Sequence, residues 1–151
     1  MEHKDLSIAN AKRSAGVDLT DEALSSAWRA VQENSLTYVA VLLTSNKASL
    51  HSSGTSLDEL IASLNDDNVF YGALIAHVCD QRKVYTFFIV GANVGGMARG
   101  KASMNKSGVL NYFESHGEIS FSDGVSSVTR ATVIEKLQAV TRQKDSDIII
   151  I

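Results

Sequence analysis

Apolar positions recur along the chain in two periods, and the switches between them set the predicted order of elements. Leu24, Ala27, Trp28 and Val31 fall at i, i+3, i+4 and i+7, one buried stripe of a helix. Thr20 is its expected N-cap, Asp21 and Glu22 suit the positive end of its dipole, and Glu33-Asn34-Ser35 closes it. Tyr38 to Leu43 is rich in β-formers and predicts a strand. Ser45-Asn46-Lys47 turns the chain, and Ala48 to Ser52 returns as a second strand. Ser56 caps a short helix burying Leu57, Leu60, Ile61 and Leu64, and Asn65 to Asn68 is a turn cluster. Val69 to Val78 and Val84 to Val90 are nearly continuous apolar runs, which predicts central strands covered on both faces. Asp80 to Lys83 is read as the hairpin loop between them. A glycine-rich exit, Gly91 to Gly96, leads to a helix that bends near Ser107-Gly108 and continues to Glu114. Glu118 to Phe121 is a short fifth strand. Asp123 to Ser127 begins a last helix that buries Val133, Ile134, Leu137 and Val140.

Hairpins outnumber crossovers in this α-β-β-α-β-β-α-β-α order. The expected fold class is α/β (α+β), with a central mixed, mostly antiparallel five- to six-stranded sheet sandwiched by helices. The 151 residues suit one domain, expected over 17–141 between a flexible N-terminal arm, 1–16, and a C-terminal tail, 142–151. Ile148, Ile149, Ile150 and Ile151 are β-prone and apolar. They suit a strand added to an exposed sheet edge, such as that of a second copy.

Composition narrows the function classes. With 44% apolar and 21% charged residues the chain is ordinary for a globular domain, and its net charge of -3 does not suit a nucleic-acid-binding domain. The one cysteine, Cys79, excludes an intrachain disulfide and is read as a small buried hydrophobe. No apolar run approaches the ~18 residues of a membrane-spanning helix, and Met1 to Asp5 lacks a signal-peptide core, which points to the cytoplasm. Proline is absent, so Gly, Asn, Asp and Ser must carry the turns.

Catalytic signals are weak. Gly91-Ala-Asn-Val-Gly-Gly96 stands between a strand and a helix, where a phosphate could sit, but it is neither a dinucleotide fingerprint nor a P-loop. His3, His51, His77 and His116 show no metal-ligand spacing, and His77 is expected as a hydrogen-bonded core residue. Asp66-Asp67 reads as a solvated turn. No cofactor and no catalysis are expected. The stronger signal is the helix after Gly96, which carries Arg99, Lys101 and Lys106, with no carboxylate between Gly91 and Asn111. Arg99 and Lys106 lie about 20° apart around the helix axis, and Met97 and Met104 share another angular position. The methionines are either core residues or an adaptable contact edge. Arg82 and Lys83 add cations on the loop entering the preceding strand.

The stretch from Lys83 through Val84-Tyr-Thr-Phe-Phe-Ile-Val90 and Gly91-Ala-Asn-Val-Gly-Gly96 to Arg99 and Lys101 resembles the actin-depolymerising-factor homology family, and within it the coactosin branch. Gly91-x-Asn93-Val94-x-Gly96 followed by Arg99-x-Lys101 and Lys106 falls at the coactosin spacing. Glu118 to Asp123 resembles that family's fifth strand and the entry to its last helix. The chain departs from the pattern at Phe88-Ile-Val90, where coactosins carry a Trp, and at Ala92, where they carry a Glu. The resemblance implies a non-enzymatic protein of the cytoskeleton that binds filamentous actin through a basic loop and long helix. Lys83 matches a filament-contacting loop lysine, and Arg99 and Lys101 match actin-facing cations, with Arg82 and Lys106 beside them. Ser14 to Asp18 resembles the N-terminal serine region of cofilins, so a cofilin-like monomer-binding or severing activity is the alternative.

Overall fold

A computed structural model describes residues 16–151. The arm read at 1–16, with Ser14, lies outside the described residues except for Gly16. The elements are α1 (Glu22–Gln32), β1 (Tyr38–Thr44), β2 (Lys47–Gly54), α2 (Leu57–Ser63), β3 (Val69–Val78), β4 (Gln81–Val90), α3 (Gly96–Leu110), β5 (Glu118–Phe121), α4 (Arg130–Thr141) and β6 (Ile148–Ile149). The strands form a six-stranded sheet in the order β2-β1-β3-β4-β5, with β6 beside β3. Every pairing is antiparallel except β4 with β5.

Helices cover both faces, as the pattern predicts. One core cluster joins Leu24, Trp28 and Val31 of α1, and Ala102, Val109 and Leu110 of α3, to Tyr71, Ala73, Ile75 and Phe88 of the sheet. The other joins Leu57 and Leu60 of α2, and Val133 and Leu137 of α4, to Phe70, Leu74, Phe87 and Ile89. β3 and β4 feed both clusters by alternation, which is why Val69 to Ala76 and Val84 to Val90 are nearly continuous apolar runs. Gly72 lets β3 pass close to β1: a Cβ there would stand 2.0 Å from the Val39 carbonyl oxygen.

Several local expectations are corrected. The N-cap of α1 is Asp21, not Thr20. One Asp21 oxygen accepts from Ala23 N–H at 3.3 Å and the other from Leu50 N–H on the β2 edge at 2.9 Å, while the Thr20 hydroxyl turns to Asp18. The β3–β4 turn is the pair Cys79-Asp80, both at positive φ (50° and 66°), so Gln81, Arg82 and Lys83 belong to β4 rather than to a loop. Two residues at positive φ match the twist of the flanking strands. Cys79 is therefore exposed at a hairpin tip, not buried. His77 is half-buried, paired in register with Arg82 and Ile149. α3 runs unbroken through Ser107-Gly108 and ends at Leu110. α4 begins only at Arg130, after a 3₁₀ turn at Val125–Ser127, because Thr129 and Thr132 form a reciprocal capping box. It buries Val133 and Leu137, whereas Val140 is exposed.

The isoleucine tail does add a strand to a sheet edge, and the edge belongs to this chain. Ile148 pairs with Val78 and Ile149 with His77, filling the length of β3 that β1 leaves free. Ile148 and Ile150 enter the second core cluster, and the Arg130 guanidinium donates to the Ile150 carbonyl at 2.6 Å. The physical reason is the free backbone of β3 past Leu74, whose N–H and C=O groups β1 does not pair and β6 takes up at His77 and Val78.

Candidate functional site

The glycine-rich exit from β4 is a structural joint. Asp66 reaches across to it: one carboxylate oxygen accepts from Ala92 N–H at 2.9 Å and from Val125 N–H at 2.8 Å. Those two amide bonds hold the Asp66 carboxyl below its usual range, the Val125 bond contributing most. The Asp66 carbonyl accepts from Asn93 N–H, the Asn68 carbonyl from Gly91 N–H, and the Gly91 carbonyl from Val94 N–H. The amides of Gly91, Ala92, Asn93 and Val94 are therefore occupied within the fold, and this part of the turn serves as a strand exit rather than a phosphate cradle. Gly91 is required by close approach, since a Cβ would lie 2.4 Å from the Asp66 backbone. Asp66 is thus a latch joining three segments. Its adjacency to Asp67, inside the predicted turn Asn65 to Asn68, gave no sequence signal of this role.

Arg99 completes the joint from the helix side. Its Nε donates to the Val94 carbonyl at 2.9 Å, Nη1 to Ser122 at 3.0 Å and Nη2 to Gly91 at 3.2 Å. Arg99 is the anchor of a first turn that has no cap and no core contact: the N-cap is Gly95, without a side-chain hydrogen bond, and no residue from Gly96 to Lys101 is buried. The helix is held farther along by Ala102, Val109 and Leu110 and by the Tyr71 hydroxyl, which donates to the Ala102 carbonyl at 3.3 Å. Burial pushes the Tyr71 phenol up to about 12, so it remains a donor.

This anchorage turns the methionines outward. Met97 is 92% exposed and Met104 is 81% exposed, the two largest values among the exposed large hydrophobics described. They form one ridge bordered by Gly100, Ser103 and Ser107, all exposed. Lys101, one turn from Met97, is exposed and has no ion-pair partner among the described residues. Beside it a shallow cavity of about 240 Å³ opens between α3 and the β1–β2 turn, lined by Leu43, Asp67, Val69, Tyr71, Lys101 and Asn105.

The predicted cations divide into committed and free groups. Arg82 donates to the carbonyls of Val31 (2.8 Å) and Leu36 (3.2 Å), holding the end of α1, and burial lowers its pKa. Lys106 pairs with Glu118 at 2.9 Å and stands 5.5 Å from the Phe88 ring centre. Arg99 is held as above. Lys83 and Lys101 have no ion-pair partner among the described residues, and the fold does not bring them together. Along β4, Val84 and Phe88 face the α1–α3 layer, while Tyr85, Phe87 and Ile89 face α2–α4. By strand alternation Lys83 shares the second face, across the sheet from α3. Among the described residues no group of three or more His, Cys, Asp or Glu side chains could hold a metal ion.

The comparisons with known proteins agree on the fold. Coactosin from Entamoeba histolytica superposes with a TM-score of 0.70 at 16% identity, covering 85% of this chain and 99% of that one. Human coactosin-like protein gives 0.69 at 18% identity, covering 84% and 99%. Mouse coactosin, described as an actin filament binding protein, gives 0.62 at 15% identity, covering 83% and 99%. No curated protein matches in sequence. The profile of the cofilin/tropomyosin-type actin-binding proteins matches residues 16–138, spanning β1 to β5, α3 and most of α4, and the chain belongs to that family.

Proposed function

We propose that the chain binds actin filaments without catalysis, using the exposed face of α3 as its main contact and Lys83 as a second. The observation that carries this reading is the ridge of Met97 and Met104, held in solvent beside Lys101, which has no ion-pair partner among the described residues, on a member of an actin-binding family. Thioether side chains adapt to irregular apolar surfaces. Unpaired lysines steer the encounter with an acidic partner and fix its register. Arg82, Arg99 and Lys106 are positioning residues in this reading, since each already serves the fold. The place of action is the cytoskeleton. Among the described residues no helix is long and apolar enough to cross a membrane.

Two contact regions on opposite faces suit a filament, where two subunits can be touched at once. The second reading, cofilin-like binding of a monomer, needs the α3 face alone. Co-sedimentation with filaments at two salt concentrations, beside monomer titration, tests both. Lys101→Ala should weaken both forms by a few-fold, the ~0.2–1 kcal/mol of an exposed charge. It should also reduce the salt dependence, because such charges are screened over ~8–10 Å. Lys83→Ala should lower filament affinity relative to monomer affinity. An unchanged ratio favours the monomer reading, and a chain that binds neither form removes both.

A further inference from the structure

We propose that Met97 and Met104 are an oxidation-sensitive switch: converting both thioethers to sulfoxides turns the α3 face off. The inference rests on the filament reading and adds a regulatory chemistry to the same face. The sequence holds three methionines, and these two are 92% and 81% exposed on one line of one helix. Beside them Gly100, Ser103 and Ser107 are small and exposed, and with Lys101 on the other flank both thioether side chains stay open to solvent among the described residues. The oxidant is a peroxide. A sulfur lone pair attacks one peroxide oxygen, the O–O bond breaks, an S–O bond forms, and the second oxygen leaves as water with the peroxide protons. Sulfur loses two electrons, and the peroxide gains them.

The consequence is confined to the face. A sulfoxide is polar and chiral where the thioether was apolar and flexible, and its oxygen opposes burial in an apolar contact unless it finds a donor. The fold does not depend on these side chains, because α3 is gripped through Ala102, Val109 and Leu110. Oxidation therefore changes what α3 offers while leaving the domain intact, and a sulfoxide reductase can restore it.

The test uses the full chain with Cys79→Ser, which removes the exposed thiol as a competing site. The protein is treated with hydrogen peroxide, quenched with catalase, mapped by peptide mass spectrometry, melted, and pelleted with filaments. The expected result is one oxygen on each of Met97 and Met104, an unchanged melting temperature, and affinity weakened about tenfold. Methionine sulfoxide reductase then recovers the binding. The variant Met97→Leu/Met104→Leu is compared only with itself, and its pelleting should be the same before and after peroxide. Both methionines oxidised with pelleting unchanged overturns the proposal, as does a Leu variant that loses binding like its parent. Untreated protein that fails to pellet removes the filament reading and the switch together, while the peptide map still reports whether the two thioethers are the reactive groups.

Discussion

Helices α1 and α3 cover the same face of the sheet, and their construction differs at every level. α1 is capped by Asp21 and buries Leu24, Ala27, Trp28 and Val31. α3 starts at an uncapped glycine, carries Gly100 in its first half, and buries nothing before Ala102. The apolar residues of α1 point inward; the two methionines of α3 point out. One helix is fastened by its side chains. The other is fastened by Arg99 at its root, at Ala102 and at its far end, all on one side, which leaves its opposite side free for display. A segment that gives up burial and capping lowers local stability, and such a loss is explicable when the same residues serve a partner.

The sharpest way to break this contrast is to hollow out each helix in turn. Trp28→Ala should destabilise the fold by about 3–5 kcal/mol, the cost of truncating a buried aromatic, seen as a large drop in denaturation midpoint. Met97→Ala/Met104→Ala should change stability by no more than about 0.5 kcal/mol, as expected of exposed positions. Equal costs would contradict the assignment of the two helices to packing and display.

The next largest effect is expected at the root. Arg99→Ala removes three hydrogen bonds from a charged donor and should cost about 1–3 kcal/mol. If Arg99 were chiefly a contact residue, its loss would lower affinity and leave the melting temperature alone. Asp66 gives the root a pH signature. Its folded pKa lies below the ordinary 3.8, so its contribution to stability is present above the unfolded value and is lost as pH falls through the folded one. Denaturant melts from pH 6 down to below pH 4 should show a steeper acid loss in the parent than in Asp66→Asn. Parallel curves would remove the latch.

The smallest expected effect sharpens the account from the other side. A Cβ on Gly100 meets nothing within 4 Å. Gly100→Ala should therefore stabilise the protein by about 0.4–1 kcal/mol through helix propensity. Destabilisation would mean that this part of α3 is not the open helix described.

What the sequence disclosed and what it hid follow the same division. The apolar spacing of Leu24 to Val31 and the continuous runs of β3 and β4 disclosed the sheet and its two helical layers, because burial imposes a period. The direction in which Met97 and Met104 face was not legible: a ridge spaced by a whole heptad reads alike whether it meets the core or the solvent. Nor could the charges of Arg82, Arg99 and Lys106 be told from those of Lys83 and Lys101. Their partners are backbone carbonyls and Glu118, groups that the fold alone brings close. Asp66 was hidden for the same reason, since the amides it holds belong to Ala92 and Val125. The hairpin was misplaced because Cys79 occupies a positive-φ position usually given to Asn, Asp or Gly.

The most direct test of the central claim is co-sedimentation of actin filaments with the parent chain and with Met97→Ala/Lys101→Ala/Met104→Ala, both first shown to melt at the same temperature. The account predicts that the parent pellets and that the folded triple variant stays largely in the supernatant. Equal pelleting of the two would contradict it, because the displayed face of α3 would then have no part in holding the filament.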